Sequence, residues 1–95
     1  MEIKKVAIIG GGTMGSGIAE VCAKSGLDTI VMEPEAAAAE AAQKRINDSL
    51  DKAVARGRLS EQDRTTTGAL LSYTTDINAL SDRDLVIEAI IENNI

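Results

Sequence analysis

Histidine is missing altogether from this 95-residue chain. Its absence excludes a Ser-His-Asp triad, a Cys-His pair and the usual imidazole metal sites, so the chain works without the commonest general base. Aromatic residues are nearly missing too. Tyr73 stands alone, with no Phe and no Trp, so any core must come from Ile, Val, Leu, Met and many alanines. The single cysteine, Cys22, cannot form an internal disulfide, and a lone thiol fits a reducing compartment. It reads as a small buried thiol on a helix rather than as a nucleophile. No apolar run reaches the ~18–20 residues of a membrane span. The opening Met1-Glu2-Ile3-Lys4-Lys5 and Val6-Ala7-Ile8-Ile9 resemble a signal peptide only superficially. Five glycines between Gly10 and Gly17 break the apolar stretch, and no A-x-A site follows. A mature cytoplasmic N-terminus is the expectation. The net charge of −5 lacks the basic balance that a nucleic-acid binder needs.

With 44% hydrophobic and 26% charged residues, the composition is that of a folded chain. The length fits one small domain or a piece of a larger one. Lys5 to Ile9 is a short, β-branched, almost wholly apolar run, the pattern of a strand covered on both faces in a parallel sheet. After a glycine-rich turn, Met14, Ile18, Val21, Cys22 and Ser25 recur at helical spacing, and Gly26 is placed to end that helix. A second strand spans Asp28 to Met32. The whole fills one βαβ unit with a right-handed crossover.

The alanine-rich stretch predicts a long helix from Pro34 to about Arg56, with Glu33, Glu35 and Glu40 near its positive end. Its buried stripe is Ala42, Ile46, Leu50, Ala53 and Val54, and Gly57 reads as the stop. Ser60-Glu61-Gln62-Asp63 opens a short helix to about Thr67. Leu70 to Thr74 reads as a third strand, Asp76 to Leu80 as one helical turn capped by Asp76, and Asp84 to Ile91 as a fourth strand. The element order predicts an α/β fold with a parallel sheet.

Gly10-Gly11-Gly12-Thr13-Met14-Gly15 matches G-x-G-x-x-G between a strand and a helix, with an acid at the end of the next strand. Gly10 permits the tight turn, Gly12 has no Cβ to block a diphosphate, and Gly15 lets the helix sit close on the first strand. The amides of Gly12 to Met14 then face the phosphates at the positive end of the helix. Glu33 lies 21 residues after Gly12, close to the spacing expected of a ribose-binding acid. Its carboxylate can accept from both hydroxyls of an adenosine ribose and would repel a 2′-phosphate. No Arg or Lys follows it until Lys44, which favours NAD over NADP. The bland reading of Glu33 is a solvated acid at a helix N-terminus. A Walker loop is excluded, because Ser16 and Gly17 stand where Lys and Ser or Thr are required. The motif alone does not separate NAD from FAD.

Val6 to Ala19, with Met14-Gly15-Ser16-Gly17-Ile18-Ala19 after the second motif glycine, closely resembles the opening of the 3-hydroxyacyl-CoA dehydrogenases, the bacterial 3-hydroxybutyryl-CoA dehydrogenases above all. The similarity continues through the long helix, Thr74-Thr75-Asp76, and Asp84 to Asn93, a block that flavoproteins do not share. The resemblance implies a partial Rossmann domain, a doubly wound parallel sheet of strand order 3-2-1-4, with NAD as cofactor. It implies that Gly10, Gly11, Gly12, Thr13, Met14 and Gly15 wrap the diphosphate and that Glu33 holds the ribose. Many members carry Asp where this chain has Glu33. Ala89 and Ile90 would line the cofactor cleft, and Glu92 would sit near the nicotinamide ribose. For Glu92 the alternative is an ordinary loop acid, and Glu88 carries no assignment.

In the family a lysine follows the Glu-Asn pair, and a serine, the catalytic histidine with its glutamate, and an asparagine lie further on. A C-terminal helical domain then closes over the acyl-CoA and makes a homo-oligomer. Residues 1–95 therefore read as the N-terminal part of the NAD-binding domain, without catalytic or metal-binding residues. By themselves they are expected to bind NAD weakly or not at all and to turn nothing over. The implied parent oxidises an L-3-hydroxyacyl-CoA in fatty acid or butanoate metabolism, with no nucleic-acid or membrane partner. Two rivals stay open: a related NAD-dependent hydroxy-acid dehydrogenase, and a non-catalytic NAD-sensing module.

Overall fold

A computed structural model of the protein describes residues 2–89. Strand β1 (Lys5–Ile9) leads through the glycine loop into helix α1 (Thr13–Lys24), then β2 (Asp28–Met32), α2 (Ala36–Ala55), α3 (Glu61–Ala69) and β3 (Leu71–Thr74). A 3₁₀ turn (Ile77–Leu80) leads to β4 (Leu85–Glu88). The sheet is wholly parallel in the order β3-β2-β1-β4, as expected. The chain thus steps outward from β1 to β3, then jumps back past β1 to lay down β4. Order reverses between β1 and β4, where sheets of this kind leave a ligand crevice beyond the strands' carboxyl ends.

β1 is central and its Val6, Ala7 and Ile8 are fully buried. Val6 and Ile8 face helices α1 and α2 with Val31, Ala42, Ile46 and Leu50, while Ala7 packs on the opposite face with Ile30, Met32 and Leu80. Parallel register puts Leu85 and Ile87 on the helical side and Val86 on the other. β4 is an edge strand among the described residues, and Leu85 and Val86 are exposed on it.

Several boundaries differ from the sequence reading. α2 begins at Ala36, not Pro34, because the Glu33 amide continues the β2–β3 ladder by donating to the Thr74 carbonyl (2.9 Å). A residue before proline favours such extended backbone, so Pro34 bends the chain ahead of the helix instead of opening it. Of the expected stripe, Ala42, Ile46 and Leu50 are buried, whereas Ala53 and Val54 are only half-buried. β4 is assigned only as far as Glu88, and the remainder of the expected strand from Ile90 onward lies outside the described residues.

The buried face of α1 is Gly15, Ser16, Ala19 and Ala23. Met14 and Val21, expected in the stripe, are 49% and 64% exposed. Small residues fill the interface because this helix lies too close to the sheet for long side chains. The local caps follow the sequence: Ser60 Oγ accepts from the Asp63 amide (3.0 Å), Asp76 Oδ1 accepts from the Asn78 amide (2.9 Å), and Gly26 and Gly57 take positive φ.

The ends of the strands opposite the glycine loop are held by charge. Arg83, with a side chain only 9% exposed, donates to Asp28 Oδ1 (2.7 Å) and to the Asp28 carbonyl (3.2 Å). Asp84 Oδ2 accepts from the amides of Lys4 and Lys5, both at 2.9 Å. These bonds tie the start of β4 to the starts of β1 and β2.

Candidate dinucleotide site

Three ladder extensions set the site at the carboxyl edge of the sheet. Gly10 N donates to the Met32 carbonyl (3.0 Å), Glu33 N to Thr74 (2.9 Å) and Ala89 N to Ile9 (2.8 Å), so the loop after β1, the acid after β2 and the residue after β4 all start from fixed backbone. Gly10 turns out of β1 with φ +99°, a conformation that only glycine takes readily. A Cβ at Gly15 would collide with the Gly10 carbonyl, which is backbone and cannot swing aside. This is how α1 comes to rest against the end of β1.

Gly12 differs from these. Its φ of −66° and ψ of −165° suit any residue, and a Cβ there would meet nothing within 4 Å. Nothing inside the fold calls for glycine at this position, and the open space lies before the first turn of α1. That turn carries no side-chain cap and no acidic residue, so its amides are available to an anion. Thr13 and Met14, at its start, are exposed. The cradle fits a diphosphate.

Gly11, by contrast, is packed on all sides. A Cβ there would lie 2.5 Å from Ala42 Cβ and 3.2 Å from Val31. Its amide donates to Glu33 Oε2 at 2.6 Å, which aims the Glu33 carboxylate into the loop instead of away from it. One carboxylate oxygen serves the loop while Oε1 has no partner among the described residues. Ala89 is buried and would be 3.4 Å from a Cβ at Gly15, so it lies beneath the loop and the helix start. Ile90 and Glu92 lie outside the described residues.

Two residues that the sequence reading passed over complete the site. Ser16 Oγ donates to the Gly11 carbonyl (2.7 Å), and Arg45 Nη1 donates to the same oxygen at 2.6 Å. Arg45 follows Lys44 in α2, a sequence distance that hid how close its guanidinium comes to the loop. Arg45 also lines an open groove of about 500 Å³ between α1 and α2, with Lys24, Lys52, Arg56 and Arg58 and only Glu20 and Asp48 as acids. In a chain of net charge −5 this is a concentrated cationic surface. No ion pair engages Lys52, Arg56 or Arg58 among the described residues. Cys22 packs half-buried against the core, and burial pushes its thiol up from the ordinary value, consistent with an inert thiol.

The profile of the family described as "3-hydroxyacyl-CoA dehydrogenase, NAD binding domain" matches residues 5–94. The chain belongs to this family. It is 48% identical over 91 residues to a 3-hydroxybutyryl-CoA dehydrogenase of Mycobacterium tuberculosis, covering 96% of this chain and 32% of that protein. It is 42% identical over 89 residues to the 3-hydroxyadipyl-CoA dehydrogenase of Escherichia coli, covering 94% of this chain and 19% of that protein. Among solved structures, Mycobacterium tuberculosis FadB2 superposes with a TM-score of 0.95 at 47% identity, over 98% of this chain and 33% of that one. The 3-hydroxybutyryl-CoA dehydrogenase of Escherichia coli K12 gives 0.92 at 41% identity, over 98% of this chain and 20% of that one. The chain thus spans about a third of the first of these relatives or less. Membership in this NAD-binding family resolves the choice between NAD and FAD that the glycine motif left open. No helix among the described residues is long and apolar enough to cross a membrane.

Proposed function

We propose that residues 1–95 are the N-terminal part of the NAD-binding domain of an NAD-dependent L-3-hydroxyacyl-CoA dehydrogenase, with 3-hydroxybutyryl-CoA as its substrate class. The observation that carries this reading is the pairing of an unobstructed amide cradle at Gly12 with the Glu33 carboxylate turned into the same loop. The amides of Gly12, Thr13 and Met14 receive the diphosphate, and the positive end of α1 favours its charge. Glu33 Oε1 accepts from the adenosine ribose while Oε2 keeps its bond to Gly11. Ala89 forms the floor of the cleft, and the cofactor roles that the family resemblance implies for Ile90 and Glu92 belong to residues outside those described. NAD held here would supply the acceptor for the hydride leaving C3 of the substrate. The hydroxyl proton requires a base; the family resemblance implies a histidine in that role, and these 95 residues contain none. The homo-oligomer expected of the parent enzyme is likewise assigned to sequence outside this stretch.

The cationic groove supports an acyl-CoA in particular. Coenzyme A is a polyphosphate anion, and Lys52, Arg56 and Arg58 offer it charges engaged in no ion pair among the described residues. The test is NADH-linked reduction of acetoacetyl-CoA by the full-length protein, followed by the loss of NADH absorbance. Turnover is expected, with the KM for acetoacetyl-CoA rising in Arg56→Glu while the KM for NADH holds. NAD binding without turnover of any acyl-CoA would instead make the protein a sensing module.

A further inference from the structure

The Gly11 carbonyl takes two hydrogen bonds at once, from the buried Ser16 hydroxyl (2.7 Å) and from the Arg45 guanidinium (2.6 Å). These donors come from different helices, and the guanidinium also approaches Ser16 Oγ at 3.4 Å. That oxygen belongs to the Gly11–Gly12 peptide, which is trans like every peptide described. In a trans peptide the N–H points opposite to the C=O. With the carbonyl drawn inward by Arg45 and Ser16, the Gly12 N–H is turned the opposite way, at a residue that is exposed. It has no acceptor among the described residues. A cation on the carbonyl also polarises the peptide and makes that N–H a stronger donor.

We propose that Arg45 is a positioning residue for the dinucleotide's diphosphate, acting through the Gly11–Gly12 peptide. The inference rests on the NAD reading above and goes beyond it, because Arg45 lies in α2, outside the glycine motif and 12 positions past Glu33. Gly11 becomes the point where three elements meet: its amide is held by Glu33 after β2, its carbonyl by Arg45 of α2 and Ser16 of α1. Arg45 thereby sets the direction and strength of one phosphate-facing amide without touching the phosphate.

Arg45 is exposed on its helix, so its replacement leaves the core intact. The experiment measures binding of NAD, ADP-ribose and adenosine to the full-length protein and to its Arg45→Met and Arg45→Lys variants. The dissociation constants for NAD and ADP-ribose should rise about tenfold in Arg45→Met, the loss expected of one charge-assisted bond, and recover largely in Arg45→Lys. Adenosine, which has no diphosphate, should bind all three proteins alike. Unchanged NAD affinity in Arg45→Met, or an equal loss for adenosine, would overturn the role of Arg45 while leaving the NAD reading in place. Failure of the wild-type protein to bind NAD would overturn both.

Discussion

The Gly11 amide donates to Glu33 Oε2 at 2.6 Å, joining the loop after β1 to the end of β2 before any ligand arrives. The acid proposed to read the ribose is therefore also the acid that shapes the loop proposed to read the diphosphate. Its second oxygen has no hydrogen-bond partner among the described residues.

Replacing Glu33 has a consequence that separates the two cofactors. In Glu33→Ala the full-length protein should bind NAD about tenfold or more weakly, the scale of hydrogen bonds to an ionised group. NADP should lose much less, because the negative charge facing its 2′-phosphate disappears as well. Parallel titrations with the two cofactors measure the ratio. If that ratio stays put, the ribose does not meet Glu33.

Gly12 and Gly15 should respond oppositely to alanine. Gly15→Ala sets a Cβ against the Gly10 backbone carbonyl and should destabilise the fold by about 1–3 kcal/mol or more. Gly12→Ala meets open space at an unstrained φ and should leave stability within about 0.5 kcal/mol, yet sharply weaken NAD. Denaturant melts and NAD titrations of both variants provide the comparison. Equal losses of stability would mean that the space before Gly12 is filled.

Acid should loosen the end of the sheet remote from the site. The amides of Lys4 and Lys5 hold the Asp84 carboxyl below the usual carboxylate range, and Lys5 does the same for Asp82. A carboxyl whose pKa is lowered by folding contributes stability above its unfolded value, about pH 4, and loses it as pH falls through the folded value. Denaturation midpoints measured from neutral pH downward should stay level and then drop below about pH 4. Asp84→Asn should start lower and drop less steeply, and an identical slope would remove Asp84 from the effect.

The glycine motif, its acid and the caps at Ser60 and Asp76 were legible from the chain, because each rests on local chemistry or on a short spacing, whereas the strand order came from the family resemblance. The identity of β1 and β2 followed from β-branched runs that the sheet buries on both faces. The face of α1 was misjudged, since hydrophobic periodicity favours Met14 and Val21 as core. The helix in fact approaches the sheet on its smallest residues, and large side chains cannot fit there. The start of α2 was misjudged for a related reason. Pro34 is compatible with a helix's first turn, but the β3 carbonyl at Thr74 claims the preceding amide and keeps the backbone extended.

The sequence by itself determined a βαβ unit with a bare loop and an acid at the next strand's end, because those features need only neighbours along the chain. Tertiary structure alone decided that Arg45 would land on Gly11, and that cations from Lys24 to Arg58 would form one groove. Both depend on how two helices lie across a sheet. That is fixed by the volumes packed between them, which no spacing in the sequence records.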